Sequence, residues 1–332
     1  MFFIIIVKCT LADRLSDNIE IVIVLISIYF ILSPIDSIII NFYSLREQSI
    51  PYAIGMGIIG LTTTIITLVT IRYFRLGYMG WVFSLPLTAI LTHLYFFKRI
   101  YLVEKIYPQF KFKNRFLVQS LKIGLPLSPH QISLYILGVS DRLLLEYFRI
   151  PTTIIGFYSQ GYSIGSQGSI LVNGVFQAFA KKIQNGFRGD DYHKLLFIRK
   201  SIIIIPILIS LILFLGSLWC REAFLILFKN PELQKSYPIS IVVLSSYMFW
   251  SVYSFFTYPL SIKNKSFSIS KITILAATIN IIGNIILIPF YGYWASLGVT
   301  YFSYIVFGFA GLLNNENRRF LNKYLNITKF CF

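Results

Sequence analysis

The sequence predicts an all-α integral membrane protein with about nine transmembrane helices. Two observations carry the class. Of 332 residues, 56% are hydrophobic and only 13% are charged, against roughly 45–50% apolar and 25% charged in soluble domains. The apolar residues also run in charge-free blocks: residues 48–71, 153–180, 201–219, 236–262 and 272–315 contain no Asp, Glu, Lys or Arg. A span needs roughly 20 apolar residues, so each block holds a helix and the last holds two.

Taken in order, the spans are about 21–41, 51–71, 79–97, 119–147, 153–179, 201–219, 238–260, 272–290 and 293–313. Basic residues mark the gaps: Arg46, Arg72 and Arg75, then Lys98 and Arg99, Arg149, Lys181 to Lys200, Arg221 to Lys235, and Lys263 to Lys271. Between the last two spans stands a Gly292-Tyr293 turn. Alternating sides from a cytoplasmic C-terminus puts 20 basic residues inside and 8 outside. Membrane proteins keep Lys and Arg on the cytoplasmic side, so this bias sets the orientation. The same distribution excludes nucleic acid as the reason for the net charge of +17.

Cys9, Cys220 and Cys331 are too far apart for a metal motif and read as free thiols. "MFFIIIVK" is too short for a cleavable signal and has no basic residue before it. No Walker loop is present, so ATP is not the energy source through this chain. The longest outside loop, about 220–236, leaves a polymerase or ligase little room to hold two glycans. No cofactor is expected.

A weak internal repeat appears on shifting the chain by 215 residues. Tyr43 falls on Tyr258, Leu45 on Leu260, Thr63 on Thr278, Ile66 on Ile281, Gly77-Tyr78 on Gly292-Tyr293 and Ile90 on Ile305. Both copies read span, polar gap, span, Gly-Tyr turn, span, which suggests parallel repeats about an axis along the membrane normal. The odd span count and the repeat together lead us to expect three further helices upstream of residue 20.

The fourth span carries costly residues. Pro126 and Pro129 each remove a backbone donor near its start, making either a hinge or a fixed kink. His130 lies one turn after Pro126; it could carry protons, donate to a phosphate, or satisfy a freed carbonyl. A charge at a helix centre costs roughly 2.5–3.5 kcal/mol, so Asp141 and Arg142 need partners or water, unless they are interfacial anchors. Neighbouring residues point about 100° apart on a helix, so the two should not simply close on each other. Asp36 in "LSPIDSIII" is either an ion-coupling acid or a helix-end residue. Lys122 reads as interfacial. Gly156, Gly161, Gly165 and Gly168 make the next helix smooth enough for close packing.

"GLPLSPHQISLYILGVSDRLLLEYF" (Gly124 to Phe148), followed by "IIGFYSQGYSIGSQ", resembles the bacterial oligosaccharide flippases. These are the O-antigen and capsule repeat-unit translocases of the multidrug/oligosaccharidyl-lipid/polysaccharide exporter superfamily. The resemblance rests on Gly124-Leu125-Pro126-Leu127, Pro129-His130, Ser140-Asp141-Arg142, Gly156, Tyr158-Ser159 and Gly161-Tyr162. "NIIGNIILIPFYGYWA" (Asn280 to Ala295) resembles the end of the family's eleventh helix.

The resemblance implies helices four to twelve of a two-lobed, twelve-helix transporter. Residues 1–115 would be the second half of the first lobe with the inter-lobe loop, and 116–332 a six-helix lobe with a basic cytoplasmic tail. It implies flipping of undecaprenyl-diphosphate-linked oligosaccharide across the bacterial inner membrane by alternating access. The partners would be that lipid-linked oligosaccharide, membrane lipids and other polysaccharide-assembly proteins. Arg142 would hold the diphosphate, with Lys122 and His130 as further candidates, because an anion in a low-dielectric cavity needs fixed positive partners. Tyr158, Tyr162 and Gln167 could meet sugars, or serve as belt and core residues. Asp36 and Asp141 would suit a drug/cation antiporter of the same superfamily instead, and a non-transporting scaffold is a third reading.

The orientation is testable. Cysteines replacing Lys113 or Lys182 are expected to resist a membrane-impermeant thiol reagent in intact cells and to react once the membrane is opened. Labelling from outside at both positions would overturn the assignment.

Overall fold

The computed structural model describes residues 19–46, 49–105, 107, 113–187, 192–263 and 265–313. The expected basic tail, Cys9 and Cys331 lie outside these residues. No strand occurs among the described residues. In hydrocarbon a helix satisfies its own backbone, which makes helix the natural outcome for blocks this apolar. Among the described residues, six helical segments are long and apolar enough to cross a membrane: Ala53–Arg72, Tyr78–Leu102, Ser201–Leu218, Pro231–Ile262, Ser266–Tyr291 and Tyr293–Gly311. The chain is a multi-pass, all-α membrane protein.

Two compact units divide it, Met1–Lys111 and Phe112–Phe332. The first contains α1 (Ile19–Leu45), α2 (Ser49–Arg72) and α3 (Tyr78–Phe97), which runs on as a π-helical turn, Lys98–Val103. α3 packs against both α1 and α2. Tyr43, Ile39, Ile59 and Phe96 form the larger of its two buried clusters. Arg46 at the end of α1 forms an ion pair with Glu104, just past the π turn, and its guanidinium lies 4.6 Å over the Phe42 ring.

The second unit contains α4 (Asn114–Tyr147), α5 (Thr152–Gly165), α6 (Gly168–Phe187), α7 (Tyr192–Leu218), α8 (Cys220–Leu227), α9 (Pro231–Gln234), α10 (Tyr237–Ile262), α11 (Ser266–Tyr291) and α12 (Tyr293–Leu313). α10 is its hub, packing on α5, α6, α7 and α12, while α4 packs along α11. Small residues permit this crowding. A Cβ on Gly161 would stand 2.6 Å from the Ser236 carbonyl, and one on Gly165 2.8 Å from that of Ser240. Ser240 uses the approach, donating to the Gly161 carbonyl at 2.6 Å. Ser251 of α10 reaches α7 in the same way, at Pro206 and Ser210.

One predicted span takes a different form. Residues 153–179 are an interrupted helix: α5 and α6 join through Ser166 and Gln167 and run on in one direction along α10, from Gly161 beside Ile239 to Phe176 beside Phe255. The run Gly165 to Ser169 offers almost no apolar side chain to favour a continuous helix, and glycine costs helix about 1 kcal/mol relative to alanine. Along with α4, which carries Lys122, Asp141, Arg142 and Glu146, these helices fall short of the spanning criterion in length or apolarity.

The repeat reaches the backbone. Gly77 enters α3 with φ 54° and ψ −132°, and Gly292 enters α12 with φ 58° and ψ −139°. Both Gly-Tyr turns thus use the same left-handed conformation, which side chains rarely adopt. A Cβ meets nothing within 4 Å at Gly292, nor at Gly298 in the middle of α12. Gly292→Ala is therefore expected to destabilise the detergent-purified protein by roughly 1–3 kcal/mol through backbone strain alone. Gly298→Ala is expected to be neutral or stabilising, since helix favours alanine. Equal effects in thermal unfolding would refute the conformational reading.

Candidate functional site

α4 runs unbroken through Pro126 and Pro129. Hydroxyls brace the carbonyls of the prolines themselves. Ser270 of α11 donates to the Pro126 carbonyl at 2.5 Å, and Ser133 donates to the Pro129 carbonyl at 2.7 Å. One turn on, half-buried His130 places Nδ1 3.3 Å from the Thr273 hydroxyl, with its ring stacked on Tyr253 at 6.3 Å between centroids.

Farther along α4, Asp141 is 0% exposed. Its Oδ2 accepts from the Tyr158 hydroxyl of α5, and its Oδ1 accepts from the Arg142 backbone N–H at 3.0 Å. The Arg142 side chain turns elsewhere, as the helix angle requires. It is half-buried, Nη1 donates to the Gly138 carbonyl at 3.3 Å, and the guanidinium lies 4.3 Å over the Tyr162 ring. Such a contact is worth about 2 kcal/mol when desolvated. Its buried Nε has no partner among the described residues. Tyr158 and Tyr162 lie one turn apart on α5, so a single helix face serves both members of the Asp-Arg pair. Beyond Tyr162 stand Tyr247 of α10 and Tyr304 of α12, with their rings 5.5 Å apart.

The structure thus brings together Asp141, Arg142, Tyr158 and Tyr162. It does not bring Lys122, His130 or Gln167 to them. Lys122 is exposed near the start of α4, and by helix rise it stands roughly 30 Å along the axis from Arg142, with His130 roughly 18 Å away. A single diphosphate cannot touch all three. Gln167 is exposed in the α5–α6 turn, donating to the Ser163 carbonyl at 3.2 Å. Tyr158 and Tyr162 are buried core residues here and offer a sugar no surface. Asp36 lies in α1, with its side chain outside the described residues.

The sequence reading missed a second polar network beside the first. Ser140 donates to Asn280 Oδ1 at 2.7 Å, Asn284 donates to the same oxygen at 3.1 Å, and Asn280 Nδ2 lies 3.4 Å from the Thr300 hydroxyl. All four residues are buried, and Asn284 Oδ1 and Ser296 Oγ find no partner among the described residues. The signal was present: Ser266, Ser270, Thr273, Asn280 and Asn284 recur at helical spacing along one face of an apolar span. No protein-family model matches the chain, and no curated protein matches it either.

Asp141 and Tyr158 form the pairing that most directly joins α4 to α5. Tyr158→Phe leaves a buried oxygen without its donor and is expected to cost about 1–3 kcal/mol. In a double-mutant cycle with Asp141→Asn, the coupling is expected at about 0.5–3 kcal/mol in unfolding of the purified protein. Additive effects would show that the two side chains do not interact.

Proposed function

We propose that this chain is a transporter component that flips undecaprenyl-diphosphate-linked oligosaccharide across the bacterial inner membrane by alternating access. In this reading it crosses the membrane about nine times with its C-terminus in the cytoplasm and works beside polysaccharide-assembly proteins. The supporting observation is the state of Arg142. Its neighbour Asp141 spends both oxygens on the fold, whereas Arg142 is half-buried as a residue and its guanidinium makes one carbonyl contact and one ring contact. A cation held in an apolar bundle with unused donors suits a planar anionic group such as a phosphate. The motif residues around it are those on which the flippase resemblance rests. A drug/cation antiporter is the second reading, favoured by the fully buried carboxylate of Asp141.

The test is photolabelling of membranes containing the full chain with a photoreactive polyprenyl-diphosphate oligosaccharide. Saturable labelling is expected, reduced in Arg142→Lys, which keeps charge but loses the fork, and lost in Arg142→Gln at equal membrane abundance. Undiminished labelling of Arg142→Gln removes Arg142 from the pathway. A chain that ignores this probe but is saturably labelled by a photoreactive lipophilic cation is an antiporter.

A further inference from the structure

The connection between α7 and α10, the longest outside loop that the sequence predicts, contains a helix with an apolar foot. We infer that α8 rests in the headgroup region of the bilayer, with Leu225, Ile226 and Leu227 dipping into lipid. The inference does not depend on the transport reading.

α7 crosses the membrane to Leu218 and exposes its apolar residues along most of that length. These meet acyl chains. The chain then bends at Trp219, which is 69% exposed, and α8 begins at once. α8 is firmly seated. Cys220 and Phe224, one turn apart, are buried at 5% and 0%, and the Phe224 ring packs on Phe228 at 5.2 Å. α8 lies against both α7 and α10. The end of α8 is open: Leu225, Ile226 and Leu227 are 55%, 83% and 61% exposed.

Three large aliphatic residues in a row, on a well-held helix, have no cover among the described residues. Continuity selects the occupant. Leu218 and Trp219 carry the lipid-facing strip of α7 up to α8, whose first turn presents exposed Arg221 and Glu222 before the foot. Tryptophan at a membrane exit is characteristic of the interface. Exposed Arg221 and Lys229 flank the foot on either side, placed to meet lipid phosphates, while Lys235 is already paired with Glu232 at 3.0 Å. An amphipathic helix with an apolar face and flanking cations lies in the interfacial plane, buried about 5–10 Å into the headgroup boundary.

The test uses the full chain with Cys9 and Cys331 changed to Ser; buried Cys220 stays unlabelled. A nitroxide at Ile226→Cys, in vesicles of phosphatidylcholine and phosphatidylglycerol, is expected to be relaxed more strongly by oxygen than by a water-soluble nickel chelate. A label at Lys235→Cys is expected to show the reverse. Leu227→Cys provides the same reading where Ile226→Cys does not accumulate. Nickel accessibility at the foot equal to that at residue 235 overturns the inference. So does dipolar broadening that disappears on diluting labelled with unlabelled protein, because that outcome assigns the foot to a second copy of the chain.

Discussion

A carboxylate buried in an apolar helix bundle has to find its partners inside the bundle, and Asp141 sets that requirement for the second unit. Its two oxygens take one donor from the following backbone N–H and one from Tyr158. The second donor brings α5 against α4 at a fixed register. Once Tyr158 is placed, Tyr162 falls one turn away and receives the guanidinium of Arg142 on its face. α5 then presents Gly161 and Gly165 to α10, at distances where no Cβ would fit. A single buried charge thus ties three helices together, and an unpaired carboxylate there would cost more than any of these contacts supplies.

Hydroxyls play the same part along the rest of the unit. Lipid offers no water to a carbonyl freed or bent away from its helix, so serine and threonine reach back or across to it. The proline-containing start of α4 is braced by Ser270 from α11, and Ser240 and Ser251 carry α10 onto α5 and α7. These residues are small as well as polar, so each one both shortens the helix–helix distance and satisfies a backbone group at the contact.

Composition made the helices legible. Apolar blocks and basic gaps put the predicted spans on helices, six of them long and apolar enough to cross a membrane among the described residues, and in 153–179 a glycine- and serine-rich run interrupts the helix. The pairing of residues was far less legible. Hydropathy sees Asp141 as a cost but does not identify Tyr158 as its partner, and Ser140 meets Asn280 across 140 residues of sequence. Such contacts depend on the relative rotation of helices, which periodicity does not encode. Nor does charge alone report depth: Lys122, His130 and Arg142 share one helix but stand at different levels along it. α8 was missed because eight residues are too few for a helical period to stand out.

Asp141 and Arg142 are adjacent in sequence yet differ in how completely the fold uses them. The acid is saturated: no surface, both oxygens engaged, one partner on another helix. The base is not: it keeps some exposure, and its buried Nε has no partner in the described residues. A residue kept only for stability would be expected to complete its hydrogen bonds, because an unmet buried donor costs about 1–3 kcal/mol. The two charges therefore divide the work, with Asp141 building the frame and Arg142 held on that frame with donors to spare. Under the proposed function, loss of Asp141 would scatter the site by releasing α5. Loss of Arg142 would remove its contact with Tyr162 but leave the Asp141–Tyr158 pairing in place.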